Sequence, residues 1–144
     1  MAETIFLDTN VFMYAAGALH PYKTSCVRIL SEVETGVIVA AINTEILQEL
    51  LYRYSHLKLA DKGLQLCRDI LKYPLTILSV NEADIRLAID LFDAYRVAGL
   101  KPRDTIHAAT MKNNGISQLI SADKDFDHLG FVARVDPLTY RSSP

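Results

Sequence analysis

Five short apolar runs punctuate this chain, at Ile5 to Leu7, Val37 to Ile42, Leu75 to Val80, Gln118 to Ser121 and Phe131 to Val135, and no Asn-Gly hairpin signal joins any two of them. That spacing constrains the fold more than any other feature. Strands joined by tight turns pair antiparallel, whereas strands separated by helical segments pair in parallel beneath helices. The VIVAAI run reads as a strand buried on both faces.

Local signals place the helices between the strands. Thr9 and Asn10 can cap a helix over Val11 to Ala16, Pro21 opens a second, and Gly36 stops it. Asn43 and Thr44 cap a helix to about Tyr54, followed by another from about Leu59 to Lys72 before Pro74. Asn81 caps a long helix to about Ala98, which Gly99 ends, and Pro102 opens the last, which stops at Asn114 and Gly115. The expectation is one domain over residues 1–144, a three-layer α/β/α sandwich around a central five-stranded parallel sheet. In such sheets ligands bind beyond the carboxyl ends of the strands, where strand order reverses.

Four acids stand at positions suited to that crevice. Asp8 closes the first strand, Asp123 follows the fourth, Glu49 lies on a helix and Asp104 opens another. Each also has a structural job available. Asp8 could cap a helix, but Thr9 and Asn10 are competent caps, which leaves Asp8 spare. Glutamates on helices are mostly solvated. Yet Ile46, Leu47, Leu50, Leu51 and Tyr54 form an apolar stripe, and Glu49 falls on its flank, while Glu45 lies nearly opposite. Asp104 gains from the helix dipole in any case. Asp123, Asp125 and Asp127 begin like a calcium loop, but His128 stands where Gly is needed and Arg134 where Glu is needed, which removes that reading.

Other chemistries lack their residues. Cys26 and Cys67 show no zinc or disulfide spacing, and no phosphate-binding glycine loop or serine-nucleophile pattern occurs. The histidines, His20, His56, His107 and His128, have no metal-binding spacing and read as surface or packing residues. Lacking a signal segment and an 18-residue apolar stretch, the chain is expected to be cytoplasmic, with no membrane association. Its net charge of −2, from 15 basic and 17 acidic residues, is not that of a globally basic nucleic-acid binder. A local basic rim around a metal site remains compatible with it.

The segments FLDTNV, NTEILQEL, RDTIHAA and GISQLISADKDFD together resemble the PIN domain family, and the chain's size resembles its VapC-type toxin ribonucleases. The resemblance spans nearly the whole sequence. It implies a five-stranded parallel sheet and a Mg²⁺- or Mn²⁺-dependent endoribonuclease that leaves 5′-phosphate and 3′-hydroxyl ends. The family's acidic positions fall on Asp8, Glu49, Asp104 and Asp123, with Asp125 in support, and its polar positions on Thr9, Asn10 and Ser121. A small antitoxin partner and a homodimer are implied as well.

The chemistry accounts for such a set of residues. Carboxylates ~4 Å apart repel by about 4 kcal/mol per pair at an effective dielectric near 20, so a cluster stays ionised only around a cation. A hard divalent ion accepts oxygen ligands, activates water and neutralises charge on a phosphate. Arg53, Lys101, Arg103 and Lys124, near the acids in sequence, are candidates to hold RNA, single strands or loops being the accessible form. Three alternatives remain open: a non-catalytic PIN-like module that binds RNA or protein, a haloacid-dehalogenase-like phosphatase, and a receiver-type phosphoacceptor. Asn10 stands where the phosphatase wants a second acid, and the receiver wants an acidic pair beside Asp8.

Overall fold

The structure is a computed structural model that describes residues 3–142. The strands β1 (Ile5–Leu7), β2 (Ala40–Asn43), β3 (Thr76–Leu78), β4 (Gln118–Ile120) and β5 (Ala133–Val135) form a parallel sheet in the order β3-β2-β1-β4-β5. Register aligns Ile5 with Ala40 on one side and with Gln118 on the other, so β1 lies at the centre between β2 and β4, and Leu7 opposite Ile120 keeps the carboxyl ends of β1 and β4 level. The helices α1 (Thr9–Ala16), α2 (Lys23–Glu34), α3 (Thr44–His56), α4 (Ala60–Ile70), α5 (Glu82–Tyr95) and α6 (Pro102–Asn113) pack in sequential pairs. The expected α/β architecture is present.

Burial explains the strands. Phe6, Leu7, Ile42, Leu119 and Ile120 are fully enclosed, and Phe12, Ile29, Leu50 and Phe126 pack over them from the helices and loops. Fully burying one such side chain contributes about 1.5–3 kcal/mol. The VIVAAI segment departs from expectation, because β2 begins only at Ala40, with Val37 and Val39 turned to solvent and Ile38 inward. A period-two alternation is invisible where every residue is apolar. β3 is also shorter than expected, being an edge strand bonded only to β2.

Most helix starts fall where the sequence places them. The second helix begins at Lys23 rather than at Pro21. Asn81 caps α5 through a reciprocal pair: its side chain accepts from Asp84 N, and its own N–H donates to Asp84 Oδ2. Asp84 Oδ1 accepts from Asn113 Nδ2 at 2.8 Å, which ties α5 to α6. Between these helices a 3-10 turn, Arg96–Ala98, ends at Gly99 with φ of 111°, close to the Asp125 carboxylate. Replacing Gly99 with Ala places a Cβ in left-handed backbone, and the variant is expected to lose about 1–2 kcal/mol of unfolding free energy in urea. An unchanged midpoint would show that this loop relaxes freely.

Candidate functional site

The carboxyl ends of β1 and β4 meet where strand order reverses, and Asp8 and Asp123 stand just past them. Asp8 is itself the cap of α1, which corrects the expectation that Thr9 or Asn10 does this work: Thr9 N donates to its Oδ1 at 2.8 Å. Its second oxygen accepts from Ser121 Oγ at 2.6 Å and from Asn10 Nδ2 at 3.2 Å. A carboxylate has enough lone pairs for both jobs. Ser121 Oγ also accepts from Asp123 N at 3.0 Å, so one hydroxyl links the ends of β1 and β4. Burial pushes the Asp8 carboxyl above its ordinary range, against the donors Ser121 and Thr9.

Asp104 sits in the first turn of α6, where its carboxylate accepts from Lys101 N at 3.1 Å. Asp123 opens the 3-10 turn Lys124–His128 and accepts from Asp125 N at 2.9 Å, which folds Asp125 back towards it. Carboxylate oxygens of Asp104, Asp123 and Asp125 lie within 4.8 Å of one another. Burial, reinforced by the negative charges of Asp123 and Asp8, pushes the Asp104 carboxyl up to about 6 despite the Lys101 N–H. Asp127 takes no part, since it forms a bidentate pair with Arg134 at 2.9 and 3.0 Å. An all-oxygen trio of closely spaced carboxylates fits a hard divalent cation, which would relieve the repulsion between them.

Glu49 is 5% exposed and lies beside the trio, held by a network. Its Oε1 accepts from Thr9 Oγ1 at 2.7 Å, and its Oε2 from Arg53 Nε at 3.0 Å. His107 Nε2 lies 3.2 Å from Oε1. The tautomer follows from Asn43: its Oδ1 caps α3 by accepting from Ile46 N, so its Nδ2 must face Thr110 Oγ1 and His107 Nδ1, both at 3.1 Å. His107 Nδ1 is then an acceptor, and Nε2–H donates to Glu49. Burial raises the Glu49 carboxyl, but the donors His107 and Thr9 and the charge of Arg53 outweigh it and hold it at about 2.

This network corrects the reading of His107 as an ordinary residue, and it brings in Asn43 and Thr110 as well. His107 is 1% exposed, in contact with the candidate acids. A signal existed, because His107 follows Asp104 at i+3 on α6 and must share its face. Asn43 was legible only as a cap.

A cleft of about 390 Å³ opens over the acids, lined by Glu49, Asp104 and Asp123 together with Arg53, Lys101 and Arg103. Three of the four cations expected near the acids therefore rim it. Lys124 is exposed on the 3-10 turn, outside the cleft lining. Asp125 belongs to the tight trio, while Asp8 and Glu49 stand just outside it as charges felt by their neighbours. The arrangement can hold a divalent cation against an anion steered in by the rim. Among the described residues, no helix is long and apolar enough to cross a membrane.

Comparison with known proteins agrees with this geometry. The model of the PIN domain family matches residues 5–132. Ribonuclease VapC13 of Mycobacterium tuberculosis is 30% identical over 131 residues, covering 91% of this chain and 98% of that protein. Among solved structures, VapC20 of Mycobacterium tuberculosis, described as a Sarcin-Ricin loop cleaving toxin, superposes with a TM-score of 0.75 at 18% identity, covering 89% of this chain and 96% of the other. A toxin-antitoxin complex from Klebsiella pneumoniae gives a TM-score of 0.62 at 18% identity, over 92% and 97% of the two chains.

Proposed function

The chain belongs to the PIN domain family, and on that footing we propose that it is a metal-dependent endoribonuclease, the toxin of a toxin–antitoxin pair. The observation that carries this reading is the trio of Asp104, Asp123 and Asp125 within 4.8 Å, in a cleft rimmed by Arg53, Lys101 and Arg103. The ribonuclease names of its relatives support the same activity. Mg²⁺ or Mn²⁺ is the proposed cofactor, with Asp104, Asp123 and Asp125 as its holders and Asp8 and Glu49 completing the acidic site. Bound there, the ion supplies Lewis-acid stabilisation of charge on the scissile phosphate and lowers the pKa of water for in-line attack.

The protein's own residues orient the rest. Ser121, Asn10 and Thr9 fix the Asp8 carboxylate, and Thr9, His107 and Arg53 fix Glu49, so neither acid swings when substrate enters. Arg103 and Lys101 face the cleft as phosphate partners, and Lys124 is proposed to extend that path along the 3-10 turn. A small antitoxin protein is the proposed partner, supported by the toxin-antitoxin complex among the fold relatives, and the cytoplasm is the proposed site of action.

The test is cleavage of labelled single-stranded RNA by the purified protein. Cleavage is expected with Mg²⁺ or Mn²⁺, is lost in EDTA, and leaves 5′-phosphate ends. RNA left whole under all three conditions would leave a non-catalytic binding module, and cleavage indifferent to EDTA would remove the metal.

A further inference from the structure

Along α3 the residues Glu49, Tyr52, Arg53 and His56 recur at i, i+3, i+4 and i+7, so they share one face of the helix. Glu49 and Arg53 line the acidic cleft, and Tyr52 and His56 continue the stripe outward from it. Glu49 to His56 spans about 10 Å at 1.5 Å per residue. The Tyr52 and His56 rings are near parallel, 10° between planes with centroids 6.2 Å apart. Arg103, which lines the cleft from α6, lays its guanidinium over the Tyr52 ring at 4.7 Å.

Packing does not account for Tyr52. Its neighbour Tyr54 is 4% exposed and belongs to the core, whereas Tyr52 is 52% exposed. The ring is held in place by a cation and a second ring rather than by burial. Aromatic faces beside a cationic groove are how proteins hold unpaired bases without reading sequence, because every base has a face to stack. We infer that Tyr52, with His56 and Arg103, forms a base-stacking shelf that seats an unpaired nucleobase of single-stranded RNA beside the scissile phosphodiester. The inference rests on the nuclease reading and extends it to the form of the substrate. In a duplex the base faces are already stacked, so the shelf favours single strands and loops. Tyr52 acts here as a substrate-positioning residue, remote from the reacting atoms.

The chain contains no tryptophan, so a Tyr52→Trp variant carries one indole reporter and keeps an aromatic face. In an Asp104→Asn background with Mg²⁺, a mixed-sequence single-stranded RNA dodecamer is expected to quench that emission, and its duplex is not. Tyr52→Ala is expected to weaken binding of the dodecamer about tenfold. In the otherwise unchanged protein it raises KM with little change in kcat, and Tyr52→Phe restores KM. Emission untouched by RNA at concentrations that saturate binding overturns the shelf, and if the protein with Asp104 intact still cleaves RNA the nuclease reading survives alone. Tyr52→Ala that binds RNA normally but no longer binds a protein partner overturns it too, assigning the patch to a protein interface. A chain that neither binds nor cleaves RNA removes both readings.

Discussion

Asp104→Asn is expected to abolish RNA cleavage, lowering the rate on the order of a thousandfold or more, and at the same time to make the metal-free protein more stable. The two effects have one cause. In the folded protein burial and the charges of Asp123 and Asp8 push the Asp104 carboxyl up to about 6, so its ionised form at neutral pH is held against repulsion. The amide keeps an oxygen to accept from Lys101 N, so the start of α6 is preserved while the charge is lost. The gain at pH 7 is about 1–3 kcal/mol, on the scale of 1.4 kcal/mol per pKa unit.

The pH dependence has a definite sign. Because the folded pKa is raised, the group disfavours neither state below its ordinary value near 3.8, and the folded state loses stability as pH rises through about 6. Metal-free wild type should therefore show a component of stability lost between pH 4 and 7 that the variant lacks. Mg²⁺ should stabilise wild type more at pH 7 than at pH 5 and the variant little at either. Thermal melts of both proteins across that range, with and without Mg²⁺, check it. A variant less stable than wild type at pH 7 without metal would show that the acids are not in repulsion.

His107→Ala should have the opposite balance, a severe loss of stability from a residue that touches no substrate. The substitution removes the donor to Glu49 Oε1 and the acceptor of Asn43 Nδ2, both in fully enclosed surroundings, and leaves a cavity beside Phe6, whose ring lies 5.8 Å from the imidazole. A buried carboxylate deprived of a donor, an unsatisfied amide and a void together cost about 3–4 kcal/mol. Urea unfolding measures it directly. A loss below about 1 kcal/mol would mean that water or a rearranged side chain replaces the imidazole.

Much of this molecule can be read from its residues in order. Apolar runs without hairpin turns dictate parallel strands, and Asn43, Asn81 and Pro102 mark helix starts within a residue. Asp8 and Asp123 are legible as site candidates because a strand's end in a parallel sheet always opens on the same edge. Glu49 is legible from helical period alone. Signals of this kind are local, and they depend on spacing that a one-dimensional string preserves.

What the string does not hold is the distance between segments far apart in it. That Asp125 joins Asp104 and Asp123 while Asp127 turns away to Arg134 depends on how a 3-10 turn meets β5. That Asp8 both caps α1 and accepts a hydrogen bond from Ser121, 113 positions on, depends on the register of β1 against β4. His107 becomes the keeper of Glu49 only because α3 and α6 approach across the end of the sheet, and its tautomer is set by Asn43 from a third element. Electrostatic and hydrogen-bond energies fall off over a few ångströms, so the pattern of residues chose the architecture, and only close packing in three dimensions decided which charges met.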